Sequence, residues 1–177
     1  SPLLKASVCT VGEFVADVEK RSHLQPRTVR IYATKLRKLV SDVAKLEVGR
    51  KAKARRAKFD HFGKGHGDWL AKVNAQPLDV LTADNVAAWR NAYVHRAGND
   101  PLKRKSAERS AASILRAGRA LFSPNVVDHL KVKLPANPFA GVKLQDPGPQ
   151  RYHSDVNPEW LLGCAERELR HARPELF

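Results

Sequence analysis

The chain has 177 residues, with 32 Lys and Arg against 18 Asp and Glu and a sequence pI near 10.2. That length suits one compact domain, or one domain with a short extra piece. A hydrophobic fraction of 42%, with three Trp, three Tyr and six Phe, is enough to build a core and excludes a wholly disordered chain. No apolar run approaches the ~20 residues a membrane span requires, so an integral membrane protein is excluded, and a membrane is not among the expected partners. Ser1-Pro2-Leu3-Leu4-Lys5 opens the chain without a long apolar stretch, so no secretory signal is expected either. Cys9 and Cys164 cannot form a disulfide framework, and a reducing cytoplasmic setting is the simplest expectation. The absence of any Met, initiator included, points to an internal fragment or a processed product.

The formal charge of +14 is unevenly spread. Residues 21–60 contribute +10 and residues 101–120 contribute +5, while the rest of the chain nearly cancels. Concentrated positive charge is the footprint of a polyanion binder, because neutralising phosphates releases condensed counterions. Solvated helix faces and an anionic membrane surface are the competing explanations.

In chain order, Thr10-Val11-Gly12-Glu13 has the capping-box pattern, and Val11, Phe14, Val15 and Val18 follow at helical spacing. A first amphipathic helix should therefore run to about Arg21. Pro26 suits the first turn of a second helix, where its missing N–H costs nothing. At 100° per residue, Val29, Tyr32, Ala33, Leu36, Leu39, Val40 and Val43 fall within an arc of about 120°. Arg27, Lys35, Lys38 and Lys45 lie opposite, and Arg30 and Arg37 flank the apolar sector.

The run from Arg50 to Lys58 holds six basic residues in nine and reads first as a solvated segment. A short helix is expected around Asp68–Asn74, then an extended lead-in at Pro77-Leu78-Asp79-Val80-Leu81. Thr82 can cap a further main helix carrying Val86, Trp89 and Tyr93, with Gly98 after its end. Asp100-Pro101 opens the last main helix, with Ala107, Ala111, Ile114, Leu115, Gly118, Leu121 and Phe122 on its apolar side. Lys105, Arg109, Arg116 and Arg119 occupy the far side. Ser123 is expected to cap a short helix through Leu130. Gln145-Asp146-Pro147-Gly148-Pro149-Gln150 reads as a linker. Tyr152 should start a short extended piece, and a helix carrying Trp160, Leu161, Cys164, Ala165 and Leu169 should follow Asn157-Pro158. The class is all-α.

Chemistry-bearing motifs are few. The cysteines lie too far apart in sequence for a zinc pair, and His61 and His66 bracket a Gly-rich loop with no nearby ligand partner. No P-loop and no nucleophile elbow occurs. Tyr32, Tyr93 and Tyr152 read as packing residues. No metal and no cofactor is expected.

Order and spacing do carry a resemblance. Gln25-Pro26-Arg27-Thr28-Val29-Arg30-Ile31-Tyr32-Ala33-Thr34-Lys35-Leu36, after the capped helix 11–18, resembles the start of the core-binding domain of phage-type tyrosine recombinases. Residues 78–89 look like that family's lead-in to its third helix, and residues 105–122 resemble its fourth. Asn137-Pro138-Phe139 is similar to its turn before the interdomain linker, and the chain after Tyr152 looks like the opening of its catalytic domain. Two departures stand out. The basic, Gly-rich insert from about Arg50 to Gly67 is longer than that fold usually shows, and the family's His-x-x-Arg motif is missing.

The resemblance implies a bundle of four main helices, a SAM-like core-binding domain, over residues 1–144. A linker would follow at 145–151, then the first element of a truncated catalytic domain at 152–177. No catalytic residue is carried over, and the first catalytic arginine is expected just beyond Phe177. The implied partner is double-stranded DNA, gripped by Arg27, Thr28, Arg30, Lys35, Arg37, Lys38, Lys105, Ser106, Arg109, Arg116 and Arg119. Self-association on DNA would come through the intact parent, in a nucleoid-associated setting. The alternatives are a free-standing DNA-binding regulator or nucleoid protein, and a helical adaptor for acidic protein partners. RNA is less favoured, since exposed aromatic platforms are not evident.

Overall fold

The computed structural model describes residues 8–46, 65–143 and 157–173. The basic run from Arg50 to Lys58, His61, the linker at 145–151, Tyr152 and the terminal Leu176-Phe177 lie outside the described residues. The chain falls into two compact units, residues 1–147 and 148–177. The described residues are helical, and their one extended pairing is an isolated bridge between Thr10 and Pro77.

The first unit holds α1 (Val11–Arg21), α2 (Pro26–Val43), α3 (His66–Asn74), α4 (Ala83–His95), α5 (Pro101–Leu121) and the single turn α6 (Pro124–Val127). The capping box forms: the Glu13 N–H donates to Thr10 Oγ1 at 3.2 Å, and the Thr10 N–H donates to the Glu13 carboxylate at 2.8 Å. The Thr10 N–H and the Thr10 hydroxyl, which donates to the same carboxylate at 3.1 Å, hold the Glu13 carboxyl below its usual range. Val11, Phe14, Val15 and Val18 are buried, as their spacing requires. On α2 the buried set is Val29, Ala33, Leu36, Leu39 and Val40, while Tyr32 and Val43 pack partly buried at the margins.

Residues 78–81 depart from the extended lead-in: Leu78–Val80 is a turn of 3₁₀ helix. The reason is spacing. Leu78 and Leu81 are both buried, and in a strand two residues three apart would point to opposite faces. A 3₁₀ turn brings both to the same side. Ser123 also departs from expectation: its hydroxyl donates to the Ala120 carbonyl at 2.8 Å rather than capping α6, which ends at Val127.

α2 and α5 form the most extensive helix pair, and α4 packs on both. Hydrogen bonds fix the arrangement. The Trp69 indole N–H donates to Ser41 Oγ at 2.9 Å, and the Trp89 indole N–H donates to the Asp42 carboxylate at 3.0 Å. Phe14, Phe122 and Phe139 pack in a row of tilted rings, with neighbouring centroids 5.0 and 5.4 Å apart. Phe139 reaches this row only because Gly118 has no side chain: a Cβ there would overlap the Phe139 ring. Asn137 fixes that corner, its side-chain oxygen accepting from the Phe139 N–H at 2.9 Å.

Asp17 ties the segment after α6 to α1. Its carboxylate accepts from the Lys131 and Val132 N–H groups at 2.6 and 3.2 Å, and from Arg21 at 2.6 Å. Burial pushes its carboxyl up, but these donors outweigh it and hold the group below the usual carboxylate range. Cys9 is buried, and burial pushes its thiol up to about 11, so it stays a neutral packing residue.

The second unit contains α7 (Pro158–Ala172), capped where Asn157 accepts from the Glu159 N–H at 2.9 Å. Trp160, Leu161, Leu162 and Leu169 are exposed on it. Among the described residues, no helix is long and apolar enough to cross a membrane.

Candidate nucleic-acid interface

No Asp or Glu occurs between Glu19 and Asp42, so α2 presents cations almost without competition until its last turn. α5 holds six cations and the single acid Glu108, whose carboxylate lies 4.0 Å from Arg104. The packing of α2, α4 and α5 then decides which of these cations meet.

Three do. Lys35, Lys38 and Arg109 line one cleft of about 460 Å³, together with Thr34, Tyr93, Ser110, Ser113 and Ile114. No carboxylate is among these lining residues. Lys35 Nζ donates to Ser113 Oγ at 2.7 Å, across the α2–α5 seam. Lys38 Nζ sits 5.0 Å from the centroid of the Tyr93 ring and donates to its hydroxyl at 3.4 Å. A second hollow of about 350 Å³ adjoins the first, sharing Tyr93 and Ser110. Arg96, Lys103 and Ser106 contribute its polar lining, with Lys103 also 3.5 Å from the Asp100 carboxylate.

The remaining candidates are dispersed. Arg27 and Arg30 are exposed on the first turns of α2, with Thr28 half-buried between them. Lys105 and Arg116 are exposed on α5 and share a face with Arg109, at intervals of four and seven residues. Arg37 goes elsewhere: half-buried, it donates through Nε to Asn74 on α3 at 2.9 Å. Burial lowers its guanidinium from the ordinary value, with the Glu19 charge opposing. On the α2 wheel it stands about 160° from Lys35, so one flat surface cannot receive both side chains. Arg119 is exposed in part, but its guanidinium donates to the Val142 carbonyl and so braces the chain leaving the bundle.

α5 is also more deeply embedded than its wheel suggests. Ala112 falls inside the sector expected to be cationic, yet it is buried, as is Ala117 on the other flank. The buried positions wrap roughly 220° of the helix. The cause is that α5 is contacted by α2, α4 and α6 and also receives Phe139. That leaves Lys105, Arg109 and Arg116 as its open cationic row.

Sequence reasoning missed Tyr93, Ser110, Ser113, Arg96 and Lys103. Tyr93 reads as a packing residue, and it does pack against Trp89 with centroids 5.1 Å apart, but it also lines the cleft and its hydroxyl accepts from Lys38. Ser110 and Ser113 carry no signal of their own, and only the seating of α5 against α2 gives them meaning. Among the described residues, no group of three metal-ligating side chains forms. No protein-family model matches the chain, and no curated protein or solved structure matches it either.

Proposed function

We propose that this chain is the DNA-binding, non-catalytic portion of a tyrosine recombinase or integrase, gripping duplex DNA with the cations of α2 and α5. The observation that carries the DNA reading is the meeting of Lys35, Lys38 and Arg109 in a cleft whose other lining residues include Thr34, Tyr93, Ser110 and Ser113 and no carboxylate. Cations lining a cleft with no carboxylate among its lining residues suit a phosphate backbone, and Lys105 and Arg116 extend the same charge along α5. Arg27, Thr28 and Arg30 at the start of α2, and Ser106 on α5, are the further contacts. Arg37 and Arg119 hold protein groups, so their part is to brace the bundle.

The recombinase assignment rests on the order of the motifs in α1, α2, α4 and α5. In that reading these four helices form the SAM-like core-binding bundle, and α7 belongs to the start of the catalytic domain. Strand cleavage would fall to residues of the intact parent.

The test is binding of a short duplex across a salt series. Neutralising ~6 phosphates predicts a slope of log K against log[salt] of about −5. A slope near zero would remove the DNA reading. Equal binding of duplex, heparin and acidic peptide would favour the adaptor for acidic partners.

A further inference from the structure

We infer that the cleft between α2, α4 and α5 is a seat for a single phosphate group, in which two hydroxyls primed by ammonium groups do the recognising. This deepens the duplex-DNA reading, on which it rests, by naming the chemical part of the polymer that enters.

An ammonium has only N–H groups to give. Where Lys35 Nζ lies 2.7 Å from Ser113 Oγ, the serine oxygen must therefore be the acceptor, and its own O–H is left to donate elsewhere. The same holds for Lys38 and the Tyr93 hydroxyl. Ser113 and Tyr93 are both lining residues of the cleft. A hydroxyl whose oxygen already accepts from a cation is polarised and becomes a stronger donor. Thr34 behaves differently: its hydroxyl donates to the Arg30 carbonyl at 2.9 Å, so its proton is already committed.

The wall of the cleft therefore combines two primed hydroxyls, the Ser110 hydroxyl and three cations, with no carboxylate. A guanine edge also presents two acceptors to such donors, but it carries no net charge to meet three cations. A phosphate presents only acceptor oxygens and a negative charge, and it matches well. Lys35, Lys38 and Arg109 are half-buried, so less side-chain freedom remains to be lost on binding than at an exposed cation such as Arg116.

The decisive variant is the double substitution Ser113→Ala with Tyr93→Phe, which removes both hydroxyls and changes no charge. Inorganic phosphate is titrated into the full chain at low ionic strength while backbone amide resonances are followed. Saturable shifts are expected at residues 34–38, 93 and 109–114, with affinity weakened about tenfold in the double variant. Uniform shifts that never saturate in the wild-type chain overturn the inference, and this arm stands even if the double variant fails to fold.

A short duplex is measured in parallel. The double variant should bind it about tenfold more weakly, with an unchanged salt slope, because every cation remains. Unaltered duplex affinity overturns the seat while leaving the DNA reading intact. Localised phosphate binding without any duplex binding does the reverse: it supports the seat and removes the DNA reading.

Discussion

Gly118 and Asp17 show how single residues set the frame that holds the cations. At Gly118 the missing side chain admits the Phe139 ring, so Gly118→Ala should destabilise the bundle by about 1–3 kcal/mol through overpacking. Adding Phe139→Leu should recover part of that loss in chemical denaturation. A Gly118→Ala chain as stable as wild type would mean that Phe139 does not sit where described. At Asp17 the carboxylate serves two backbone N–H groups and Arg21 at once. Asp17→Ala strands those donors and should cost roughly 2 kcal/mol. Because its carboxyl is held lower in the folded chain than in the unfolded one, its contribution is full above about pH 4. It fades as the pH falls through the lowered folded value. Thermal midpoints against pH should therefore drop less steeply in acid for the alanine variant than for wild type. Parallel curves would contradict this role.

Helices follow the same logic one level up. The first turn of α5 carries Lys103 and Arg104, with Lys105 just after it, and Asp100 caps it by accepting from the Leu102 and Lys103 N–H groups at 2.9 and 3.2 Å. Asp100→Ala should cost about 1 kcal/mol and loosen that turn. Circular dichroism and urea denaturation would read the loss, and no change in stability would show that the cap is idle. Element by element, much of the helical pattern is legible in the chain. The capping box at Thr10 and the prolines at 26 and 101 fall where their helices start. Buried positions of α2 follow its periodicity as well. Residues 78–81 are not legible in this way, because a four-residue stretch with only three apolar positions carries no period strong enough to separate a strand from a 3₁₀ turn. The depth of α5 is hidden for another reason. A wheel ranks residues by polarity, and the small Ala112 and Ala117 look neutral until neighbouring helices close over them.

Across the whole molecule, net charge is what motivates the proposed polyanion partner, but only packing sorts the cations into groups. Lys35 and Arg37 are two residues apart in sequence and are pulled to different neighbours, Ser113 on α5 and Asn74 on α3. The wheel of α2 already sets the two about 160° apart, but which helix each one meets depends on what flanks α2. For the same reason Ser113 and Tyr93 stay silent until the tertiary seam brings lysines to their oxygens. The class of partner is therefore suggested by composition, while the grouping of cations emerges from the fold. Variants distributed over the surface separate the two contributions, because they hold net charge constant while moving its location.

The most direct measurement compares two charge reversals in duplex binding. One chain carries Arg109→Glu and Arg116→Glu on α5, and the other carries Arg167→Glu and Arg170→Glu on α7. Net charge changes equally in both. The first should lose far more affinity, and its salt slope should be shallower by about 2, since each missing arginine leaves one phosphate un-neutralised. Equal losses in the two chains would show that bulk charge alone drives binding and would contradict an interface built on α2 and α5.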